Sequence, residues 1–376
     1  MSQNPKIFII AGEVSGDLHG ANLVKEIKAL SPKASLYGIG GDEMSRQGVN
    51  LLFHCKDLAV VGLIEILAKL GSIIKAIRRT KKWLTTEKPD LLILIDYPEF
   101  NLMMAKHAKR AGIPVFYYIS PQIWAWREGR VKKIRDCVDK MAVILPFEQQ
   151  FYKKHGIDVE FVGHPLLDSV KVTTTPSDYL SSLGLDPERP VIGILPGSRH
   201  GEIARLMPIM MKSAQKIRQK RPDAQFLIPL APNISHNDLE IPTELNVKLV
   251  SSNRYDAMAA CDVLLAASGT VTLEAGLLGV PTVVTYKISP LTHILAKFLI
   301  KVKYASLVNL IANQEIFPEF IQDKARPELL SKAILELLQP ERAAWVRQQL
   351  EQVRKKLGKP GAAKRAAKSA LNLINA

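Results

Sequence analysis

Short apolar runs recur along the chain, separated by longer stretches whose apolar residues return at a helical period. That pattern belongs to parallel strands buried on both faces and joined by helices. In the first half the runs are residues 6–11, 36–40, 91–95, 115–119, 141–145 and 159–162. In the second half they are 191–195, 225–229, 247–250, 263–266 and 282–286. Between the two sets the alternation lapses at 163–190, around Thr173-Thr174-Thr175-Pro176-Ser177, the composition of an interdomain connection. The expected fold is α/β, with two doubly wound Rossmann-like lobes over residues 1–170 and 185–340. A helical, basic, Ala-rich segment at 341–376 should pack on the first lobe or exchange between subunits. Ligands in such sheets bind beyond the carboxyl ends of the strands, which is where chemistry should be sought.

Composition narrows the setting. A chain of 376 residues is too long for one ordinary core and suits two. The three cysteines, Cys55, Cys137 and Cys261, are widely spaced and odd in number, so neither a disulfide framework nor a zinc site is suggested. The first apolar run is too brief for a signal peptide, and no later run reaches bilayer length without a charge. These features point to a cytoplasmic protein. The net charge of +15 asks for an anionic partner: nucleic acid, a phosphorylated substrate or an acidic membrane.

Three strand ends in the first half carry polar clusters. After the first strand come Gly12-Glu13-Val14-Ser15-Gly16-Asp17-Leu18-His19-Gly20, which match neither the dinucleotide nor the P-loop fingerprint. Glu13, Ser15, Asp17 and His19 there are either site groups or helix-start residues. After residues 91–95 come Asp96-Tyr97-Pro98-Glu99-Phe100-Asn101, where Asp96, alone or with His19, can take a proton from an attacking hydroxyl. The third is Ser120-Pro121-Gln122-Ile123-Trp124-Ala125-Trp126, whose Trp124 can wall a sugar or an acyl chain or pack an interface.

Two strand ends in the second half suit a diphosphate. Gly197, Ser198 and Arg199 bring backbone and a guanidinium fork to a ligand. Ser268, Gly269 and Thr270 open a helix whose amides and positive end form a cradle, with Glu274 one turn inside for ribose hydroxyls. No Asp-x-Asp pair is present, so metal-chelated diphosphate chemistry is not indicated and no cofactor is expected.

Residues 60–77 are more apolar than one core-facing helical stripe needs and are followed by Arg78, Arg79, Lys81, Lys82 and Trp83. Leu63, Ile64, Ile66, Leu67, Leu70 and Ile74 are therefore expected to meet an anionic lipid surface. Smaller stretches at 205–212, with Met207 and Met210, and at 291–304 repeat the theme, against the alternative of buried helices with snorkelling lysines.

Taken together, Gly12-Glu13-x-Ser15-Gly16-Asp17, Ile95-Asp96-x-Pro98-Glu99-Phe100-Asn101, Ser120-Pro121-x-x-Trp124-Ala125-Trp126, Gly163-His164-Pro165, Leu195-Pro196-Gly197-Ser198-Arg199 and Ala267-Ser268-Gly269-Thr270 resemble the lipid-A-disaccharide synthases, GT-B glycosyltransferases, from residue 7 to 322. The resemblance implies inverting transfer of a diacylglucosamine from UDP to the 6-hydroxyl of diacylglucosamine 1-phosphate. It further implies catalysis by Asp96, a diphosphate held by Arg199 and residues 268–270, and UDP held with the help of Glu274 and Asn309. It also implies membrane contact at residues 60–77, at the inner face of the inner membrane, and a homodimer through exchanged C-terminal segments. Two positions depart from the family pattern: Val61 stands for its usual Met and Val308 for its usual Pro. The competing expectations are another transferase or an epimerase of the same fold, and a basic nucleic-acid-binding protein. No recognition motif supports the last, and the cations lie among aliphatics rather than stacking aromatics, so no nucleic-acid partner is expected.

Overall fold

The computed structural model describes residues 4–58, 63–126, 128–231, 234–289 and 302–374, and their side chains except at 14 and 58–70. The chain forms two compact units, one of Met1–Pro165 with Leu357–Ala376, the other of Leu166–Lys356.

The first unit holds seven strands: β1 (Lys6–Ala11), β2 (Ser35–Gly40), β3 (Asn50–His54), β4 (Leu91–Ile95), β5 (Val115–Tyr118), β6 (Lys140–Val143) and β7 (Glu160–Phe161), in the order β3-β2-β1-β4-β5-β6-β7. Every pairing is parallel. The second holds β8 (Val191–Leu195), β9 (Gln225–Pro229), β10 (Lys248–Val250), β11 (Val263–Ala267), β12 (Thr282–Tyr286) and β13 (Glu319–Ile321), in the order β10-β9-β8-β11-β12-β13, again all parallel. The central strands are apolar on both faces because helices cover both sides, so β4, β8 and β11 are buried throughout. In each sheet the chain winds outward from a central strand, then returns to that strand's other side. The reversal lies between β1 and β4 in the first sheet and between β8 and β11 in the second. Loops leaving two such strands diverge and leave a crevice.

The stretch expected to be an open connection is tied down. Asp256 accepts from the amides of Thr173 and Thr174 at 2.6 and 2.9 Å and from the Thr173 hydroxyl at 2.8 Å. Thr175 then caps the helix Pro176–Ser182, which opens on a proline.

The segment 341–376 is not one piece. Helix Pro340–Lys356 stays in the second unit, where Arg354 donates to the Leu277 carbonyl and Lys356 to that of Ile311. Helix Ala362–Ile374 joins the first unit, against helix Val14–Leu30. Its contact face is Ala362, Ala366, Ala367 and Ala370, all fully buried, and such small residues let two helix backbones approach closely. Arg365 fixes the approach by donating to the carbonyls of Val162, Lys359 and Pro360.

Helix Leu63–Glu87 divides the residues expected at a membrane. Ile74 is 39% exposed, between exposed Lys75 and Gly71. Trp83 is a correction: it packs on Phe8 and Tyr37, with ring centroids 4.6 and 5.2 Å away, as part of the core. The side chains of Leu63, Ile64, Ile66, Leu67 and Leu70 lie outside the described residues, as do residues 59–62 and 290–301. Met207 and Met210 are also corrections. Both are buried on the inner face of helix His200–Lys220, which packs on helix Pro327–Leu337. No described helix is long and apolar enough to cross a membrane.

The alanine face carries a testable consequence. Ala366→Leu should lower stability by about 1–3 kcal/mol through overpacking, whereas Lys368→Leu, at an exposed position, should leave it within about 0.5 kcal/mol. Urea unfolding of the two variants measures both.

Candidate active site

At the first reversal the register sets Ala11 beside Ile95, so Gly12 and Asp96 leave the sheet side by side. Asp96 and Tyr97 both adopt left-handed backbone, each with φ 45°. Two residues so placed are strained, and the surroundings hold them. Asn101 donates from Nδ2 to the carbonyls of Ile95 and Asp96, and the buried Tyr117 hydroxyl donates to Asp96 O at 2.6 Å. Gly12 is required by the same turn, since a Cβ there would lie 2.2 Å from the Tyr97 ring. With its carbonyl clamped, Asp96 presents a partly buried carboxyl group. Burial, and the Glu13 carboxylate nearby, push its pKa up to about 6.

The other residues of the first cluster separate. Glu13 and Ser15 are exposed at the start of helix Val14–Leu30. Asp17 is a correction, because it is buried and accepts from the amides of Gly41, Glu43 and Met44 at 2.6–3.0 Å. It caps the helix Asp42–Arg46 from a neighbouring helix, which engages both its oxygens. His19 interacts electrostatically with His164 of the Gly163-His164-Pro165 turn, and burial lowers their pKa values to about 4 and about 3, so both imidazoles are neutral at pH 7. Trp124 stands edge-on to Phe147 with centroids 4.8 Å apart and donates from Nε1 to Glu148.

Glu148 was not singled out by the sequence. It is buried and also accepts from the Ser120 hydroxyl and the amides of Ile144 and Leu145, and burial raises its pKa to about 7. Its one sequence signal is the Pro146-Phe147-Glu148 helix start, which reads as an ordinary capping residue.

At the second reversal a cavity of about 290 Å³ opens beyond β8 and β11. Gly197, Ser198, Arg199, Ser268, Gly269, Thr270 and Glu274 all line it, so the nucleotide residues expected from the two strand ends come together. Gly197 has φ 117°, a conformation that favours glycine. Helix Thr270–Leu277 points its first turn into the cavity, and the amides of Thr270 and Val271 have no acceptor within the helix. Ser268 is corrected in part: its amide donates to Thr285 O and its hydroxyl to Ala305 O, so the cradle starts at Gly269.

Four further residues line the cavity or touch its acids. Arg254 pairs with Glu274 at 2.5 Å, and the Tyr255 hydroxyl donates to the same carboxylate at 3.3 Å. Glu202 accepts from Arg199 Nη1 and from the Tyr286 hydroxyl. Glu202 and Arg254 each lie just beyond a strand end, but neither belongs to one of the Gly-containing motifs, so no local pattern marks them.

Asn309 is a correction. It is fully buried, donates to Phe317 O and Glu319 Oε1, and accepts from the amides of Ile316 and Phe317 at 2.8 and 2.9 Å. Two donors and two lone pairs are thereby used, leaving none for a nucleotide. Its effect on the cavity is indirect: Glu319 accepts from the amides of Ala305 and Ser306, and Ala305 holds the Ser268 hydroxyl.

Two doubly wound parallel units, with polar loops at each reversal, make the two-domain architecture of the GT-B glycosyltransferases. A solved glycotransferase of kitacinnamycin shares this fold at TM-score 0.67 and 15% identity, over 99% of this chain and 100% of that one. A UDP-GlcNAc 2-epimerase from Neisseria meningitidis bound to UDP-GlcNAc does so at TM-score 0.63 and 14% identity, over 98% of this chain and 99% of that one. Sequence is more specific than fold. The lipid-A-disaccharide synthetase family model matches residues 7–373. Lipid-A-disaccharide synthases of Geobacter metallireducens and Syntrophus aciditrophicus are 48% and 46% identical, covering 99% and 98% of this chain and 98% and 97% of theirs. The chain belongs to the lipid-A-disaccharide synthetase family.

If Asn309 brackets the loop rather than touching nucleotide, Asn309→Ala should lower stability by about 2–4 kcal/mol with no nucleotide present, because buried amides and a carboxylate lose their partner. Chemical unfolding of the ligand-free variant measures this, and a residue that only contacts ligand would leave that value unchanged.

Proposed function

We propose that the protein transfers 2,3-diacylglucosamine from UDP to the 6-hydroxyl of 2,3-diacylglucosamine 1-phosphate, with inversion, yielding the β-1′,6-linked lipid A disaccharide 1-phosphate and UDP. The observation that carries this reading is the cavity beyond β8 and β11, where Arg199 and an open helix start converge as a diphosphate requires. Family membership supplies the substrates.

In this mechanism Asp96 takes the proton of the acceptor 6-hydroxyl as its oxygen attacks the donor's anomeric carbon. The bond from that carbon to the UDP oxygen breaks on the opposite face, which inverts the centre. Negative charge growing on the departing diphosphate is met by Arg199 and the amides at Gly269, Thr270 and Val271. Ser198 contributes at the same turn, and Glu274, held by Arg254, takes the ribose hydroxyls. A raised pKa suits Asp96 to the task, because a base titrating near working pH is both ionised and proton-hungry. Glu13, Ser15, Trp124 and the neutral His19 border the acceptor.

The protein acts peripherally on the anionic inner face of the inner membrane, as a homodimer by family likeness. Support comes from Ile74 exposed on a helix that also carries Lys75, Arg78, Arg79 and Lys82, and from the net charge of +15. Arg78→Glu with Arg79→Glu should sharply reduce cosedimentation with anionic vesicles at low salt; undiminished binding would place the lipid contact elsewhere.

Asp96→Asn should fold normally and lose transfer by about 10²–10⁴-fold, read with purified donor and acceptor without added metal. Near-normal turnover would remove Asp96 from the role. The acid limb of kcat/KM should fall through about pH 6, since protonation silences a base whose pKa is raised to that value. Glu13→Gln removes the like charge, so that limb should move to lower pH.

A further inference from the structure

The cavity of the second unit neutralises its own cations, and its two pairs differ in strength. Glu274 has a side chain 9% exposed and is bound to Arg254 at 2.5 Å, with the Tyr255 hydroxyl as a second donor. This pair is tight and closed. Glu202 meets Arg199 Nη1 at 3.3 Å, and the Arg199 side chain is 61% exposed. Its remaining contacts are long as well: the Tyr286 hydroxyl at 3.2 Å and the Ser198 amide at 3.4 Å.

These donors are an anion site in outline. A guanidinium, a loop amide and a phenol hydroxyl converge on one carboxylate. That carboxylate lies over the glycine turn, where a Cβ on Gly197 would come within 2.7 Å of Glu202 Oε2. Glu202 lies three residues into helix His200–Lys220, counting from its N-cap Arg199. A capping box would direct such a side chain to the N-cap amide, yet here it reaches the amide before it, that of Ser198, and the two side chains of the cavity.

We infer that the Glu202 carboxylate is an internal stand-in for the donor's diphosphate, occupying the Arg199 and Ser198 anion subsite when it holds no nucleotide and exchanging with the diphosphate when one binds. The inference rests on the reading of Arg199 and Ser198 as diphosphate ligands. With the Arg199 side chain largely exposed and the contact long, the pair is weak, so a diphosphate with two or more charges displaces it readily. In return, the carboxylate keeps Arg199 and Tyr286 gathered before binding, and reclaims them as UDP departs. Glu202 thus sets nucleotide affinity and eases product release, and takes no part in bond making. Glu274 does not exchange, because its partners close around it.

The test is the affinity for UDP of Glu202→Gln, which keeps shape but removes the charge, with Glu202→Ala as a second variant and uridine as a probe lacking the diphosphate. UDP should bind both variants about three- to tenfold more tightly, product inhibition by UDP should strengthen equally, and uridine inhibition should not change. In an Arg199→Gln background, itself weaker for UDP, the Glu202 substitution should have no further effect. Unchanged or weaker UDP binding in folded Glu202 variants, with Arg199→Gln still weakening it, would make Glu202 an ordinary support for Arg199 and overturn the exchange alone. If Arg199→Gln leaves UDP affinity untouched, the diphosphate reading of the cavity falls, and the exchange with it.

Discussion

The constraint on which the structure depends is the reversal of strand order inside each parallel sheet. A parallel strand can be followed only by a crossover, and crossovers in doubly wound sheets go first to one side and then to the other. Two adjacent strands, β1 with β4 and β8 with β11, must therefore send their following loops apart. The gap between those loops exists whatever residues fill it. In the first unit it receives a carboxylate with a raised pKa, and in the second a guanidinium and a helix start. A carboxylate in one sheet and a guanidinium with a helix start in the other thus occupy equivalent positions of two similar sheets, and the side chains alone distinguish them.

How legible this was follows from what makes each element fold. Strands buried on both faces announce themselves as apolar runs, so β1, β4, β8 and β11 stand out in the sequence, and with them the loops that carry Asp96, Arg199 and Thr270. Two of the four edge strands do not. Asn50–His54 and Glu319–Ile321 are short and only partly buried, so neither gives a sustained apolar run, and both escaped the sequence pattern. The boundary of the first unit was hard to read for another reason: helix Ala362–Ile374 is held by small alanines and by Arg365 and Ser369, which reach Val162 and Glu160, 203 and 209 residues away in sequence. Period alone marks its apolar face and does not choose between the two expected targets, the first lobe and another subunit. Met207 and Met210 erred in the opposite direction, since an amphipathic stripe beside basic residues looks the same whether it faces lipid or core.

Acidic residues make the same lesson chemical. Sequence places Glu13, Asp17, Asp96 and Glu274 at strand ends as one class of candidates. Structure divides them by what they accept. Asp17, like Asp256 and Glu319, binds backbone amides of segments that lack a ladder or helix to satisfy them. Such a carboxylate replaces missing secondary structure, and its removal would orphan buried donors. Asp96 is a different case, since burial and the Glu13 carboxylate raise its pKa and outweigh the Tyr97 amide that bonds it. No feature of local sequence separates the two kinds, because the distinguishing partners are 24 or more residues distant for Asp17 and 83 for Asp256.

The strain at Asp96 is then intelligible as the means of keeping it in the second class. Had residues 96 and 97 continued in ordinary extended or helical backbone, the Asp96 side chain would sit at the start of helix Pro98–Arg110, where first-turn amides satisfy a carboxylate and lower its pKa. Two consecutive left-handed residues rotate it away from that fate, at a cost on the order of 1–3 kcal/mol each. The cost is offset by bonds made elsewhere: Asn101 holds two carbonyls, Tyr117 donates to one of them from a fully buried ring, and Gly12 gives the Tyr97 ring its space. Those three residues never need to touch substrate. They present a carboxylate that is poorly solvated and faces the Glu13 carboxylate, and these two effects outweigh its one backbone bond, from Tyr97, and leave it ready to bind a proton.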